Sequence, residues 1–353
     1  MTIHYETPQV QLLHGDAHEQ LRTLEAESVQ CVVTSPPYFG LRDYGVEGQM
    51  GLEGSPEEFI DSLVSVFSEV RRVLRADGTL WVNIGDTYAT RGGPGWQGKN
   101  GQRSDRRFTG TRNTVAMREH SRTAHDGFKP KDMLGIPWML AFALRADGWW
   151  LRQDIIWAKP NPTPEAVTDR CTKAHEYLFL LTRSERYFYD NKAIQEPVAH
   201  PEDNTPEDHA RAFSALRTSS PEGRQKGYQS GNKERKFRGD HGGVSTDLQR
   251  SHQGFGVPWE YSGQGRNKRS VWSIPTSPFP EAHFATFPPA LVEPCILAGS
   301  KPGDLVLDPF VGSGTTAMVA RDLGRRAVGI DLNTEYLDIA IRRVGGQLAL
   351  VPE

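Results

Sequence analysis

A chain of 353 residues, 37% hydrophobic and 24% charged, is long enough for one large or two ordinary domains around a buried core. No run approaches the roughly 18 apolar residues of a membrane span, and the N-terminal MTIHYETPQVQ has no apolar signal region. Cys31, Cys171 and Cys295 stand far apart in apolar contexts, which argues against a disulfide framework or a zinc site, so a cytoplasmic, metal-free protein is expected. The net charge of −3 argues against nucleic acid, but its distribution argues the other way. Residues 91–131 hold ten Lys/Arg against three Asp/Glu, and residues 211–270 hold twelve against five, +7 in each case. Both blocks are rich in Gly, Ser, Gln and Arg, and they read as anion-binding surfaces on an otherwise acidic chain.

Residues 10–16, VQLLHGD, read as a strand ending in Gly-Asp, followed by helical spacing in AHEQLRTLEA and then by the apolar strand VQCVVT. That strand stops at Ser35-Pro36-Pro37-Tyr38. Two prolines remove two backbone donors, fix φ twice, and push the residue before each out of the helical region. The result is a stiff, extended corner holding Ser35 and Tyr38 at a strand tip, where open α/β sheets place their chemistry. SPEEFIDSLVSVFSEVRRVLRADG is predicted to be an amphipathic helix, with Ser55 as N-cap, Pro56 in the first turn and Gly78 past its end. Phe59, Ile60, Leu63, Val66, Phe67, Val70 and Leu74 keep its 3.6-residue period.

TLWVNIGD follows as a buried strand. Beyond the first basic block, MLGIPWMLAFALRADG is predicted helical, and WWLRQDIIWAKP and EYLFLLTRS are predicted strands. Trp149, Trp150 and Trp157 are expected in the core, and His175-Glu176, at a strand start, is read as structural rather than as an acid–base pair. Residues 191–270 show almost no regular pattern. From residue 285 order returns with a helix in PPALVEPCILAG, the strand DLVLD, a helix after GSGTT, the strand RAVGID and a helix from Asn333. Alternating strands and helices favour an α/β domain with a largely parallel sheet, interrupted by the irregular segment.

LVLDPFVGSGTTAMVA, residues 305–320, is a strand running into a glycine turn and a helix. Gly312 and Gly314 let the backbone approach a ligand, and Ser313, Thr315 and Thr316 offer hydroxyls at the helix start. Asp331 ends the next strand, where a carboxylate accepts both protons of a ribose diol. No lysine follows Gly314, so this is not a triphosphate loop. Ala317 at the last position of a G-x-G-x-x-G/A pattern leaves a dinucleotide open. Asp308 at the strand tip would repel a pyrophosphate and favours a cationic cofactor, a requirement that S-adenosylmethionine meets with its sulfonium and α-amine.

T-S-P-P-Y at 34–38, together with D-P-F-V-G-S-G-T-T at 308–316, resembles the DNA amino-methyltransferases, which methylate exocyclic amines of bases. Catalytic motif first and cofactor motif last resembles their permuted β group, and the resemblance covers residues 10–190 and 272–345. It implies a Rossmann-like, S-adenosylmethionine-dependent methyltransferase sheet, circularly permuted, with an irregular basic target-recognition insert. The implied parts are a catalytic half at 1–190 carrying the basic loop 91–131, a recognition region at 191–270, and a cofactor half at 271–353.

By the same resemblance, Ser35, Pro36, Pro37 and Tyr38 carry catalysis. Asp308, Phe310, Gly312, Ser313, Gly314, Thr315 and Asp331 bind the cofactor. Asp16 in HGD fits the acid that receives the adenine amine. HFATFPPALVEPCI resembles the segment that holds the methionine moiety, which assigns His283 and Phe287 to it; Phe284 and Phe287 stand where many relatives have Pro and Lys in H-P-x-Q-K-P. Serine at position 35 goes mostly with cytosine N4 in this family and aspartate mostly with adenine N6, so cytosine is favoured with adenine as the alternative. Other readings are an RNA or protein-glutamine methyltransferase, or a nucleic-acid-binding module with a decayed cofactor site. Implied partners are double-stranded DNA and, as a candidate, a cognate restriction endonuclease, with the chain a monomer or homodimer and no membrane involved. Arg235 and Arg238 are candidates for guanine edges, and Arg42 and Asp43 for the target strand or a local turn pair.

Overall fold

The apolar runs picked out above become strands because a sheet covered on both faces needs side chains that are buried on both sides. The computed structural model describes residues 2–40, 45–89, 128–197, 265–276 and 287–345. In chain order its elements are β1 (Ile3–Glu6), β2 (Val10–His14), α1 (Ala17–Arg22), β3 (Val29–Thr34), α2 (Pro56–Val73), β4 (Leu74–Ile84), α3 (Ile136–Ala146), β5 (Trp150–Ala158) and β6 (His175–Thr182). A 3-10 turn at Lys192–Ile194 is followed by β7 (Val271–Ser273), α4 (Pro289–Gly299), β8 (Leu305–Asp308), α5 (Thr315–Asp322), β9 (Arg326–Asp331) and α6 (Thr334–Gly345). The chain divides into two units, Met1–Ile194 with Arg269–Glu353, and Gln195–Lys268. In the second, Glu196 and Arg266 form an antiparallel bridge and an ion pair at 3.2 Å.

The strands form one sheet in the order β1-β2-β9-β8-β3-β4-β6-β5-β7. β2, β9, β8, β3 and β4 are parallel, β6 runs antiparallel to β4 and β5, and β1 is an antiparallel edge strand. From β3 the chain crosses through α2 to β4 on one side; from β8 it crosses through α5 to β9 on the other. β3 and β8 are neighbours, so the two crossovers diverge between them and open a crevice beyond their carboxyl ends.

Side chains alternate across the sheet with a period of two. Leu13, Val32, Leu80, Phe179, Leu307 and Val328 pack in one cluster with residues of α1, α2 and α3. Leu12, Cys31, Val33, Trp81, Leu180 and Val306 pack in another with α4, α5 and α6. Helices from the first half of the chain thus cover one face and helices from its last part cover the other. No described helix is long and apolar enough to cross a membrane.

α2 starts as expected. Ser55 Oγ accepts from the Glu58 N–H at 3.2 Å, and the Glu58 carboxylate accepts from the Gly54 N–H at 3.0 Å. Its end differs, because the helix stops at Val73 and β4 begins directly at Leu74. Leu74 pairs with Val29, and the next rung joins Cys31 to Thr79, so Arg75 to Gly78 bulge out against the single Gln30. Gly78 serves that bulge rather than the helix end, since a Cβ there would lie 2.6 Å from Leu74 Cγ and 3.0 Å from the Gln30 carbonyl. Pairing with β3 overrides the helical period that Leu74 continues. β1 and β7 were not expected; at four and three residues they are too short to show a period. Trp149 and Trp157 are buried, but Trp150 is 43% exposed, because strand alternation turns it outward. Most of the two basic blocks, with Arg235 and Arg238, and also Arg42, Asp43 and His283, lie outside the described residues.

Phe67 is fully buried beneath the sheet. Phe67→Ala is expected to destabilise the protein by about 3–5 kcal/mol, read from the urea midpoint, with far-ultraviolet circular dichroism unchanged below the transition.

Candidate active site

The crevice holds a cavity of ≈ 300 Å³, at the small end of the roughly 300–1,000 Å³ usual for ligand sites. Its walls come from one edge of the sheet: Asp16 after β2, Asp331 at the end of β9, Pro309 to Ser313 after β8, Ser35 to Tyr38 after β3, and Asn83 in β4. Lys159 follows β5 at the same edge. Glu176 also reaches this wall, because β6 is antiparallel and brings its first residues, not its last, to the carboxyl ends of its neighbours.

On one side stands the glycine turn. Asp331 Oδ2 accepts from the Gly312 N–H at 2.9 Å and Oδ1 accepts from the Asn333 N–H at 2.8 Å. Phe310, Gly312, Ser313 and Thr315 line the cavity, as do Asp16 and Phe287. Asp16 also caps α1, accepting from the Glu19 N–H at 2.9 Å. Asp308 and Gly314 do not reach the wall. Asp308 is 1% exposed, and its Oδ1 accepts from Thr34 Oγ1 at 2.6 Å and from the Phe310 N–H at 3.0 Å. It therefore fastens the cofactor-motif strand to the prolyl-motif strand, while its Oδ2 has no donor among the described residues. Gly314 is the N-cap of α5 at φ +82°, where a Cβ would come 2.7 Å from Ala340 Cβ in α6.

Burial pushes the Asp308 and Asp331 carboxyls up to about 6, against hydrogen bonds that favour ionisation. The unfolded chain releases these protons near 3.8 and the folded one near 6, so the stability these two groups contribute is fully present below 3.8 and is lost as pH rises through 6. Above both values each ionised carboxylate costs the fold on the order of 3 kcal/mol.

On the other side stands the prolyl corner. Tyr38 OH donates to Glu176 Oε2 at 2.7 Å and lies 3.3 Å from Asn83 Oδ1. Ser35 Oγ makes a long contact of 3.5 Å with Asn83 Oδ1. Asn83 Nδ2 donates to Glu176 Oε2 at 3.3 Å and to the Tyr177 carbonyl at 3.1 Å. Lys159 pairs with Glu176, both largely buried, and its Nζ lies 4.2 Å over the Trp157 ring. Gly85 lets the Tyr38 ring lie close, since a Cβ there would be 2.7 Å from its Cε2. Asn83, Lys159 and Glu176 were not expected at the site from sequence. The available signals were a lone amide inside the apolar run LWVNIG, and an acid opening the apolar run YLFLL. Among the described residues, the charged groups on the wall are Asp16, Asp331 and Glu176 against Lys159.

A glycine turn and a prolyl corner facing each other across the switch point of such a sheet give the framework of a Rossmann-like methyltransferase. The chain belongs to the DNA methylase family, whose pattern it matches over residues 29–342. It is 44% identical to the type II methyltransferase M.Cfr9I of Citrobacter freundii over 336 residues, 95% of this chain and 88% of that one. Two solved structures share the fold. The PvuII DNA methyltransferase (cytosine-N4-specific) has a TM-score of 0.57 at 17% identity, with 98% of this chain and 96% of that one covered. TTHA0409 of Thermus thermophilus, solved in complex with S-adenosyl-L-methionine, has a TM-score of 0.52 at 24% identity, with coverage of 96% and 95%.

Gly314→Ala should cost about 1–3 kcal/mol by overpacking α5 on α6, in addition to the strain of its positive φ. Thermal unfolding checks this against Gly324→Ala, whose φ is +76° but whose nearest Cβ neighbour is 4.0 Å away, and which should feel the backbone term alone.

Proposed function

We propose that this DNA methylase transfers the methyl group of S-adenosylmethionine to the N4 amine of a cytosine flipped out of duplex DNA. The observation that carries this reading is Ser35, fixed at the prolyl corner, across the same cavity from the Asp331–Gly312 turn. The wall chemistry fits the cofactor: three acids against one lysine suit a cationic ligand and repel a pyrophosphate. Bound there, S-adenosylmethionine supplies an electrophilic methyl group on its sulfonium. In this reading Asp331 accepts from the ribose hydroxyls and Asp16 from the adenine amine, while Phe287 and Phe310 form apolar wall. The family resemblance assigns His283, which lies outside the described residues, to the methionine moiety together with Phe287.

An exocyclic amine is a poor nucleophile, because its lone pair is delocalised into the ring. Ser35 Oγ and the Pro36 carbonyl, accepting from its two N–H groups, localise that pair and stabilise the positive charge growing on nitrogen. Pro36 and Pro37 hold the two acceptors at a fixed separation. Tyr38 stacks on the base, and Phe39 packs beneath against Phe59, their rings 5.4 Å apart. Extruding the base costs a few kcal/mol. Methylation of a ring carbon would need a thiolate, and none of the three cysteines lines the cavity. Cys31 is buried and its thiol is pushed up to about 12 by desolvation.

Residues 191–270 serve as the target-recognition region and the basic loop 91–131 as a phosphate clamp. The type II relatives support a cytoplasmic role beside a cognate restriction endonuclease. Adenine N6 is the second reading, since serine in this motif crosses over in some family members.

Single-molecule sequencing of genomic DNA from a methylation-free bacterial strain expressing the protein should show N4-methylcytosine in one short recurring sequence. N6-methyladenine there would reverse the base assignment, and an unmodified genome would overturn the DNA activity. Ser35→Ala should lower the methylation rate by about 100-fold or more while cofactor affinity stays within about twofold. Cofactor affinity of the wild type should fall as pH drops through about 6, where the Asp331 carboxyl takes up a proton and loses an acceptor. Calorimetric titration from pH 8 to 5 should show this inflection, and Asp331→Asn should abolish it.

A further inference from the structure

The reaction requires Ser35 to be an acceptor toward the amine, yet a hydroxyl is donor and acceptor at once. Which role it presents depends on where its own proton goes. Ser35 Oγ has a neighbour in Asn83 Oδ1 at 3.5 Å, an acceptor that takes a proton only. The amide of Asn83 is itself directed. Turned the other way, its oxygen would face the Glu176 carboxylate and the Tyr177 carbonyl, two acceptors that now receive its Nδ2 protons at 3.3 and 3.1 Å. Tyr38 has one hydroxyl proton, and the shorter contact, 2.7 Å to Glu176 against 3.3 Å to Asn83, assigns it to the carboxylate. Asn83 Oδ1 is thereby left for the serine proton.

We infer that Glu176, neutralised by Lys159, is a positioning residue: its carboxylate sets the donor direction through Asn83, so that Ser35 turns its lone pairs to the substrate amine. This rests on the reading that Ser35 accepts from that amine. A carboxylate at the head of the chain accepts only, so every donor points toward it and no alternative arrangement competes. Lys159 keeps the charge tolerable in a largely buried place, with both side chains less than one-fifth exposed (17% and 16%). A glutamine at 176 fits the same space but carries both donors and an acceptor. It can turn its amine toward Asn83 and Tyr38, which leaves the Tyr177 carbonyl as the one acceptor still directing the Asn83 amide, so that Ser35 spends part of its time with its proton toward the substrate.

The test is single-turnover methylation of unmethylated bacterial genomic DNA by the full-length protein, with DNA KM, cofactor Kd and thermal midpoint measured alongside. Glu176→Gln is expected to lower the rate about tenfold to a hundredfold, the range for a hydrogen bond to a charged group, with KM and Kd within about twofold of wild type. The decisive reading is the double variant. If Glu176 acts through Ser35, then Glu176→Gln in a Ser35→Ala background slows nothing further, whereas an independent or merely structural role multiplies the two losses. Wild-type turnover in Glu176→Gln, or a double variant slowed by the product of the single effects, overturns the inference while leaving the Ser35 reading intact. Wild-type turnover in Ser35→Ala overturns both. Should Glu176→Gln unfold or lose the cofactor, Asn83→Ala cuts the same chain at its middle, and multiplicative losses with Ser35→Ala there count against the inference equally.

Discussion

Thr34 and Asp308 are 274 residues apart in the chain and 2.6 Å apart in space. Their hydrogen bond, with that of Thr316 Oγ1 to the Val33 carbonyl at 3.1 Å, fastens the tip of β8 and the start of α5 to the end of β3, where only two residue pairs of β3 and β8 lie in register. Everything at the site depends on this closure. The prolyl corner and the glycine turn belong to opposite ends of the sequence, and they face one cavity only once β8 has come beside β3. All the groups involved are buried, so leaving any of them unpaired would cost more than the bond itself contributes. The junction is therefore specific as well as adhesive.

That arrangement works against stability. Two carboxyls whose ionisation is raised to about 6 line or back the crevice, and at neutral pH both resist their own burial. The protein tolerates them because they sit between two large apolar clusters, one on each face of the sheet. Each residue such as Phe59, Phe67 or Trp81, fully buried, contributes roughly 1.5–3 kcal/mol. Acidic walls that weaken the empty fold are what suit a cationic cofactor, a common conflict between stability and function at binding sites.

The polar half of the site follows from one reversed strand. Had β6 run parallel to its neighbours, His175 and Glu176 would lie at the far edge of the sheet and Thr182 would face the crevice. Because it is antiparallel, an acid at the start of a strand reaches the hydroxyl of Tyr38 and the amide of Asn83. Lys159, leaving β5 at the same edge, meets it there. Four side chains from four segments of the chain then form a single hydrogen-bonded set.

Residues close together along the chain dictate the strands Val29–Thr34 and Arg326–Asp331, the start of α2 at Ser55, the stiff corner at Ser35 to Tyr38 and the glycine turn before α5. Each is written within one or two turns, through apolar periodicity, capping hydroxyls, proline's fixed φ and glycine's freedom. Two motifs of this local kind were also enough to indicate the family. Contacts between distant segments settle the rest. They set where α2 ends, because Leu74 satisfies a helical period and a sheet rung equally well and only Val29 beside it breaks the tie. They place Asp308 and Gly314 behind the wall rather than on it. They also bring Glu176 into the site, since strand direction is a property of pairing between remote parts of the chain, and no local pattern in HEYLFLLT records which way its neighbours run.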